Sequence, residues 1–184
     1  MRLPGAVLLA STLSLVLAAP SSARPEPSVT WERDYAVKQD ARQGMESCSF
    51  RVEPYLGGST MDPDYTGCIT FPGKIIHAQD LKADGKAAVT KWKLFRLNSD
   101  WKASRPAFRQ GLCVYRGGST PGFRTGLCDK RMPAEGIIQM WAGKRLVSGS
   151  WNLKDMRFGD AGCIHYTDGG NSGFGNPYGC AGFF

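Results

Sequence analysis

The chain lacks any long stretch in which apolar residues recur at helical spacing between recognisable caps. Its 23 glycines and 11 prolines in 184 residues interrupt it too often for a helix bundle. Beyond the first twenty residues no apolar run approaches the roughly 18 needed to cross a bilayer, so the mature chain is expected to be soluble. Metal chemistry has little to work with, because there is no Cys-x-x-Cys pair and the two histidines, His77 and His165, lie far apart. No cofactor is expected. The Asn-x-Ser/Thr acceptor is absent, so no N-linked glycan is expected either. Disorder is excluded from the other side, since 42% of residues are hydrophobic and 11% aromatic.

Turning to what is present, residues 1–23 read as a secretory signal peptide. Arg2 gives the charged start, Ala6 to Ala18 the apolar centre, and small residues follow up to Ala23. Cleavage is expected after Ala18, Ala19 or Ala23, leaving residues 24–184 as a single β domain in the extracellular space. In that oxidising setting the six cysteines Cys48, Cys68, Cys113, Cys128, Cys163 and Cys180 are expected to form three disulfides.

An internal repeat carries the most information. Tyr55-Leu-Gly-Gly-Ser-Thr60 recurs as Tyr115-Arg-Gly-Gly-Ser-Thr120, and more weakly as Tyr166-Thr-Asp-Gly-Gly-Asn-Ser172. Each copy is bracketed by two cysteines, 20, 15 and 17 positions apart, and is preceded by a Val and a Trp, at Trp31, Trp92 and Trp151. Order is kept at a period of about 60 residues, giving units of about 29–84, 85–142 and 143–184. Local pairing of the cysteines follows, because equivalent units should carry equivalent bridges. Val89 to Leu97 and Val147 to Leu153 read as strands, Asp84-Gly85 as a hairpin turn, and Ser99 to Arg105 at most as a helical turn limited by Pro106. The fold class expected is all-β, disulfide-stapled and β-trefoil-like, with three units closing round one core.

In its middle unit the chain resembles the ricin-type β-trefoil lectins. Cys113-Val-Tyr-Arg-Gly-Gly-Ser-Thr120, Cys128 and Gln139-Met140-Trp141 match that family's cysteine, Gly-rich turn, cysteine and Gln-x-Trp sequence, over about 30 of the 184 residues. The resemblance implies sugar recognition near the turn. The family's sugar-binding Asp position is held here by Tyr115, with Phe50 and His165 at the other two counterparts.

Charge singles out the same unit. Residues 91–131 hold ten basic side chains against Asp100 and Asp129, while the rest of the chain has 13 basic and 14 acidic. Aromatic rings interleave with these cations, a combination suited to an anionic partner. The function expected is therefore a secreted, non-enzymatic binding module for an extracellular glycan or polyanion, acting as a monomer, with nucleic acid a less favoured partner. Its candidate binding residues are Trp101, Lys102, Arg105, Tyr115, Arg116, Trp141, Tyr166, Asp168 and Asn171. One alternative is an inhibitor that inserts a loop into a hydrolase. Another is a basic ribonuclease-like enzyme, with His77 and His165 as its acid and base.

Overall fold

Alternation of period two over Ala87–Leu97 and the β-branched, aromatic composition around it produce long strands rather than helices. A computed structural model describes residues 29–39, 48, 50–52, 64–71, 74–82, 84–116, 124–176 and 180–184, with the side chains of 38, 39, 124 and 170–176 excepted. The expected signal peptide, the Gly57-Gly58 and Gly117-Gly118 turns and the side chain of Asn171 lie outside the described residues. Eleven strands are described: β1 (Trp31–Tyr35), β2 (Val37–Gln39), β3 (Phe50–Val52), β4 (Tyr65–Thr70), β5 (Ile75–Asp80), β6 (Ala87–Leu97), β7 (Ala103–Tyr115), β8 (Arg124–Asp129), β9 (Gly136–Arg145), β10 (Met156–Thr167) and β11 (Gly170–Asn176).

They form two sheets, ordered β1-β7-β6-β9-β10-β11 and β2-β8-β5-β4-β3. The inner faces meet in one core. Ala88, Trp92, Leu94, Met140, Ile164 and Tyr166 of the larger sheet pack with Val52, Tyr65, Ile69, Ile76 and Ala78 of the smaller. At one side the sheets share a strand. β1 runs parallel to β7 in the larger sheet, Ala36 donates its N–H to the Val114 carbonyl at 2.8 Å, and β2 then runs antiparallel to β8 in the smaller sheet.

The outer face of the larger sheet is covered at both ends. At one end Phe95, Ala103, Ala107 and Ile137 pack beneath Phe183 and Phe184. At the other, Val89, Leu112 and Val114 lie with Trp31, Trp151 and Phe158. Between them Lys91, Lys93, Gln110, Gln139 and Trp141 form a half-buried band.

The three disulfides are the local ones that the repeat implies: Cys48–Cys68, Cys113–Cys128 and Cys163–Cys180. Each closes a loop of 15 to 20 residues, worth about 3 kcal/mol of unfolded-state entropy in the chain-entropy model. All-β architecture is as expected, and the described strands are ordered in two sheets without confirming a three-fold arrangement of equivalent units. Trp31 lies in β1 and Trp92 in β6, but Trp151 lies outside any strand. Cys113 faces the core while Cys163 faces outward beside Gln139, whose amide donates to Cys180 Sγ at 3.4 Å.

Three local expectations need correction. Val147 to Leu153 is not a strand but a turn leading into a short 3-10 helix, Leu153–Asp155. Gly149 takes φ +78°, and the polar side chains there satisfy one another: Ser150 Oγ donates to Asp155 at 2.6 Å and Asn152 caps Lys154 N. Asp84-Gly85 does form a tight turn, with Gly85 at φ +74° and Asp84 accepting from Lys86 N at 2.9 Å, yet it joins strands of different sheets and is no hairpin. Ser99 to Arg105 forms no helical turn. Asn98 instead closes the β6–β7 hairpin by accepting from Asp100 N and Lys102 N at 3.0 and 2.8 Å.

The sheet crossing makes a prediction. A Cβ on Gly126 would stand 2.5 Å from Ala36 Cβ and 2.5 Å from the Tyr115 ring, where neither neighbour can withdraw without moving a strand. Gly126→Ala is expected to destabilise the fold by about 1–3 kcal/mol, as overpacking of a close-packed interior does. Urea unfolding followed by tryptophan fluorescence measures it, and an unchanged midpoint would refute the packing described.

Candidate functional site

The charge surplus of residues 91–131 sorts by partner. Arg109 grips Glu32 with both arms of its guanidinium, Nε to Oε1 at 2.8 Å and Nη2 to Oε2 at 3.0 Å, and gives Nη1 to the Arg131 carbonyl at 2.6 Å. Buried Lys130 bonds Glu32 at 2.9 Å and also Asp34. Both cations lie against the Trp92 ring, 5.7 and 5.3 Å from its centroid. Burial by itself raises the Glu32 carboxyl, but the bonds from Arg109 and Lys130 outweigh it and hold the group below its ordinary value. This pair of cations is neutralised inside the fold and is not available to a ligand.

Arg96 and Arg105 differ. Among the described residues neither makes an ion pair, both are exposed, and each guanidinium lies by a ring, Arg96 5.2 Å from Phe108 and Arg105 4.9 Å from Phe184. They line a cleft of about 670 Å³ together with Pro106, Phe108, Glu32 and Arg109. Its origin is local. Leu94 pairs with Arg109 and Arg96 with Ser104, so the four residues Arg105 to Phe108 of β7 stand opposite Phe95 alone. Pro106 has no N–H to offer the ladder, and the strand bulges at that point, leaving Arg105 and Pro106 exposed while Ala107 stays packed against Phe95 and Ile137.

The other basic residues are spread elsewhere. Lys91 sits on the outer band, 4.0 Å from the Trp141 ring and 4.5 Å from that of Phe158; burial, then the charge of Lys93, lowers its ammonium to about 8. Arg116 lies 4.2 Å over Tyr35 at the far end of the same face.

Of the expected binding residues, Arg105 alone lines the cleft. Trp101 and Lys102 stand exposed at the tip of the same hairpin, Trp101 at φ +60° with its ring edge-on to His165 at 5.7 Å. Trp141 is on the outer band. Asp168 is exposed in the β10–β11 turn and bonded to Lys74. Tyr115 and Tyr166 are corrected: they are 4% and 0% exposed, Tyr166 stacked on Phe71 at 5.4 Å, so both are core residues and make no surface contact. Strand alternation explains this, since Cys113 and Tyr115 share the inner face, as do Ile164 and Tyr166. Sequence reasoning counted Arg96 and Phe108 among the charged and aromatic residues of this unit without separating them, because the bulge that pairs them depends on strand register.

His77 and His165 do not share a site. His77 lies on β5 of the smaller sheet, where Ile76 and Ala78 face the core, and His165 lies on β10 of the larger, between core-facing Ile164 and Tyr166. Their side chains therefore point to opposite outer faces. His77 is 2% exposed, and burial lowers its imidazole to about 4, so it is neutral at physiological pH. Comparison with family models, with curated proteins and with solved structures finds no match for this chain.

The depressed His77 value has a stability consequence. The unfolded imidazole takes up a proton below pH about 6.5 and the folded one only near 4, so the contribution of neutral His77 is complete above 6.5 and lost as pH falls towards 4. Asp80, which burial raises to about 6, acts in the opposite sense, gaining stability as pH falls through the same interval. The two are expected to offset each other in the native chain, while His77→Gln should become relatively more stable as pH falls from 6.5 to 4, by about 1.4 kcal/mol per unit at most. Urea titrations of both proteins at pH 4, 5, 6 and 7 measure this; parallel curves would refute it.

Proposed function

We propose that the chain is a secreted, non-enzymatic binding module whose Arg96–Arg105–Phe108 cleft takes an anionic extracellular glycan. The observation that carries this reading is the pair of exposed arginines that have no carboxylate partner among the described residues, face one open cleft and are each set beside an aromatic ring. A guanidinium offers parallel N–H donors that match a carboxylate or sulfate, and the ring beside it limits the conformations lost on binding. A cleft of about 670 Å³ falls within the range of small-ligand sites and suits a short stretch of charged sugar. Glu32 is the single acid among its lining residues, and it is held ionised by Arg109 and Lys130. A carboxylate so held is a poor proton donor, which favours binding over hydrolysis.

Secretion belongs to the same proposal, supported by the charged, apolar and small-residue pattern of residues 1–23 and by three disulfides. Descent from three related units is also part of it, supported by the sequence repeat and the three local bridges. Exposed Trp101, 67% accessible at a hairpin tip, favours a second reading in which the same end of the sheet docks a protein such as a hydrolase.

A heparin column separates the readings. Arg96→Glu/Arg105→Glu is expected to elute at clearly lower salt than the parent and to lose affinity at least about tenfold, whereas charge reversal at exposed Lys154 should move elution only slightly. Elution of the double variant with the Lys154→Glu control would overturn the glycan site. Trp101→Ala should leave heparin retention unchanged.

A further inference from the structure

The outer face of the larger sheet ends, far from the cleft, in a second cationic hollow. Arg145 is the last residue of β9 and points to that face, as do Trp141 and Gly143 before it. It is only 4% exposed, yet beyond its interaction with the Tyr35 hydroxyl its hydrogen bonding among the described residues is one long contact, from Nη1 to the Ser150 carbonyl at 3.5 Å. No carboxylate lies within ion-pair distance of it among the described residues. A guanidinium taken out of water to this extent normally holds a counter-charge or a full set of acceptors, because burial of an unpaired cation is costly.

The surroundings add positive charge rather than remove it. Arg116 and Lys86 line the same hollow of about 360 Å³, whose rim includes Ser148. Arg116 lies 4.2 Å over the Tyr35 ring, which packs in turn on Trp151 at 4.8 Å. Hydrogen-bonding interactions with Arg145 and then Arg116 hold the Tyr35 phenol below its ordinary value. Of the nearby acids, Asp84 is shared between Lys86 and Lys144, 3.9 Å from each, and Asp155 accepts from Ser150 Oγ at 2.6 Å, so among the described residues neither acid pairs with Arg145 or Arg116.

We propose that this hollow binds a single tetrahedral oxyanion, phosphate or sulfate, between Arg145, Arg116 and Lys86, with the Tyr35 hydroxyl as an additional donor. Two forked guanidinium groups and an ammonium match the several acceptor oxygens of such an ion, and the buried arginine, which has no carboxylate partner among the described residues, gains a counter-charge. The ion is either free or carried as an ester on a larger molecule, and both have the same chemistry at the site.

Thermal unfolding and tryptophan fluorescence test the proposal, with sodium chloride matched in ionic strength as the reference. Inorganic phosphate is expected to raise the melting temperature saturably and to perturb fluorescence through Trp151. Arg116→Gln and Lys86→Gln change exposed or rim positions and should fold normally while weakening the response at least about fivefold; Arg145→Gln should abolish it if that variant folds. Phenyl phosphate titrated in parallel distinguishes the sources: tighter binding of the ester assigns the hollow to a ligand-borne group, and equal binding to the free ion. Arg96→Glu/Arg105→Glu should keep the full phosphate response, so failure of the glycan cleft and failure of this site are separable. A parent protein that responds to phosphate no more than to chloride, or an Arg116→Gln/Lys86→Gln variant that responds like the parent, would overturn the proposal.

Discussion

Ala36 is where one continuous strand leaves the six-stranded sheet and joins the five-stranded one, and the arrangement of charge in the molecule depends on that crossing. Residues 31–35 run beside β7 and residues 37–39 beside β8, so the two sheets are tied along one side by main-chain hydrogen bonds. The Cys113–Cys128 bridge joins β7 to β8 close by, adding a covalent tie between the same sheets. Gly126 lets the crossing approach, because Tyr115 and Ala36 occupy the space that a side chain there would need. The alternation of β1 then fixes which groups meet which cations.

On the inner side of that strand Glu32 and Asp34 reach Arg109 and Lys130 beneath the edge of the core. On the outer side Tyr35 reaches Arg116 and approaches Arg145. A single strand thus cancels two of the ten cations of the central segment and leaves others with no acid partner among the described residues. Net charge alone would not predict this division. A surface salt bridge contributes little to stability, but Lys130 is 5% exposed, and removing its carboxylates would leave a buried, unmatched ammonium. The acids of β1 therefore act mainly by making burial of those cations tolerable, and in doing so they reserve Arg96 and Arg105 for the solvent side of the cleft.

Much of the framework was legible in the sequence and much of the site was not. Local disulfide pairing followed from the repeat, and β6 followed from alternation over Val89 to Leu97. The placement of Tyr115 at the surface followed the repeat where strand period should have been followed: with Cys113 inside, a residue two positions on is inside as well. The repeat also aligned Tyr115 with Tyr166, although these stand two and three residues after their cysteines, and that offset turns Cys113 inward and Cys163 outward. Val147 to Leu153 carried strand-like residues, but Gly149 and the mutual bonding of Ser150, Asn152 and Asp155 supply a local alternative that satisfies the backbone without a ladder. Partner choice was illegible for a different reason. Glu32 meets Arg109 across 77 positions of sequence, and the bulge over Arg105 to Phe108 exists only once register is set.

Four of the cations of the central segment that have no acid among the described residues share a second feature, which bears on how a ligand would be held. Lys91, Arg96, Arg105 and Arg116 each lie against at least one aromatic ring, at centroid distances from 4.0 to 5.2 Å. A ring face attracts a cation without neutralising it, so the side chain is held in place while its charge and donors stay available. A carboxylate partner would fix the same side chain more firmly and remove it from binding. Long basic side chains free in water would lose about 2 kcal/mol of rotamer entropy each when they close on an anion, and ring support reduces that loss before the ligand arrives. The interleaving of rings with cations visible in the sequence supplies only one of these supports, Phe108 beside Arg96; the others, Trp141, Phe184 and Tyr35, are brought in from elsewhere in the chain, while Trp92 and Tyr115 of the segment build the core.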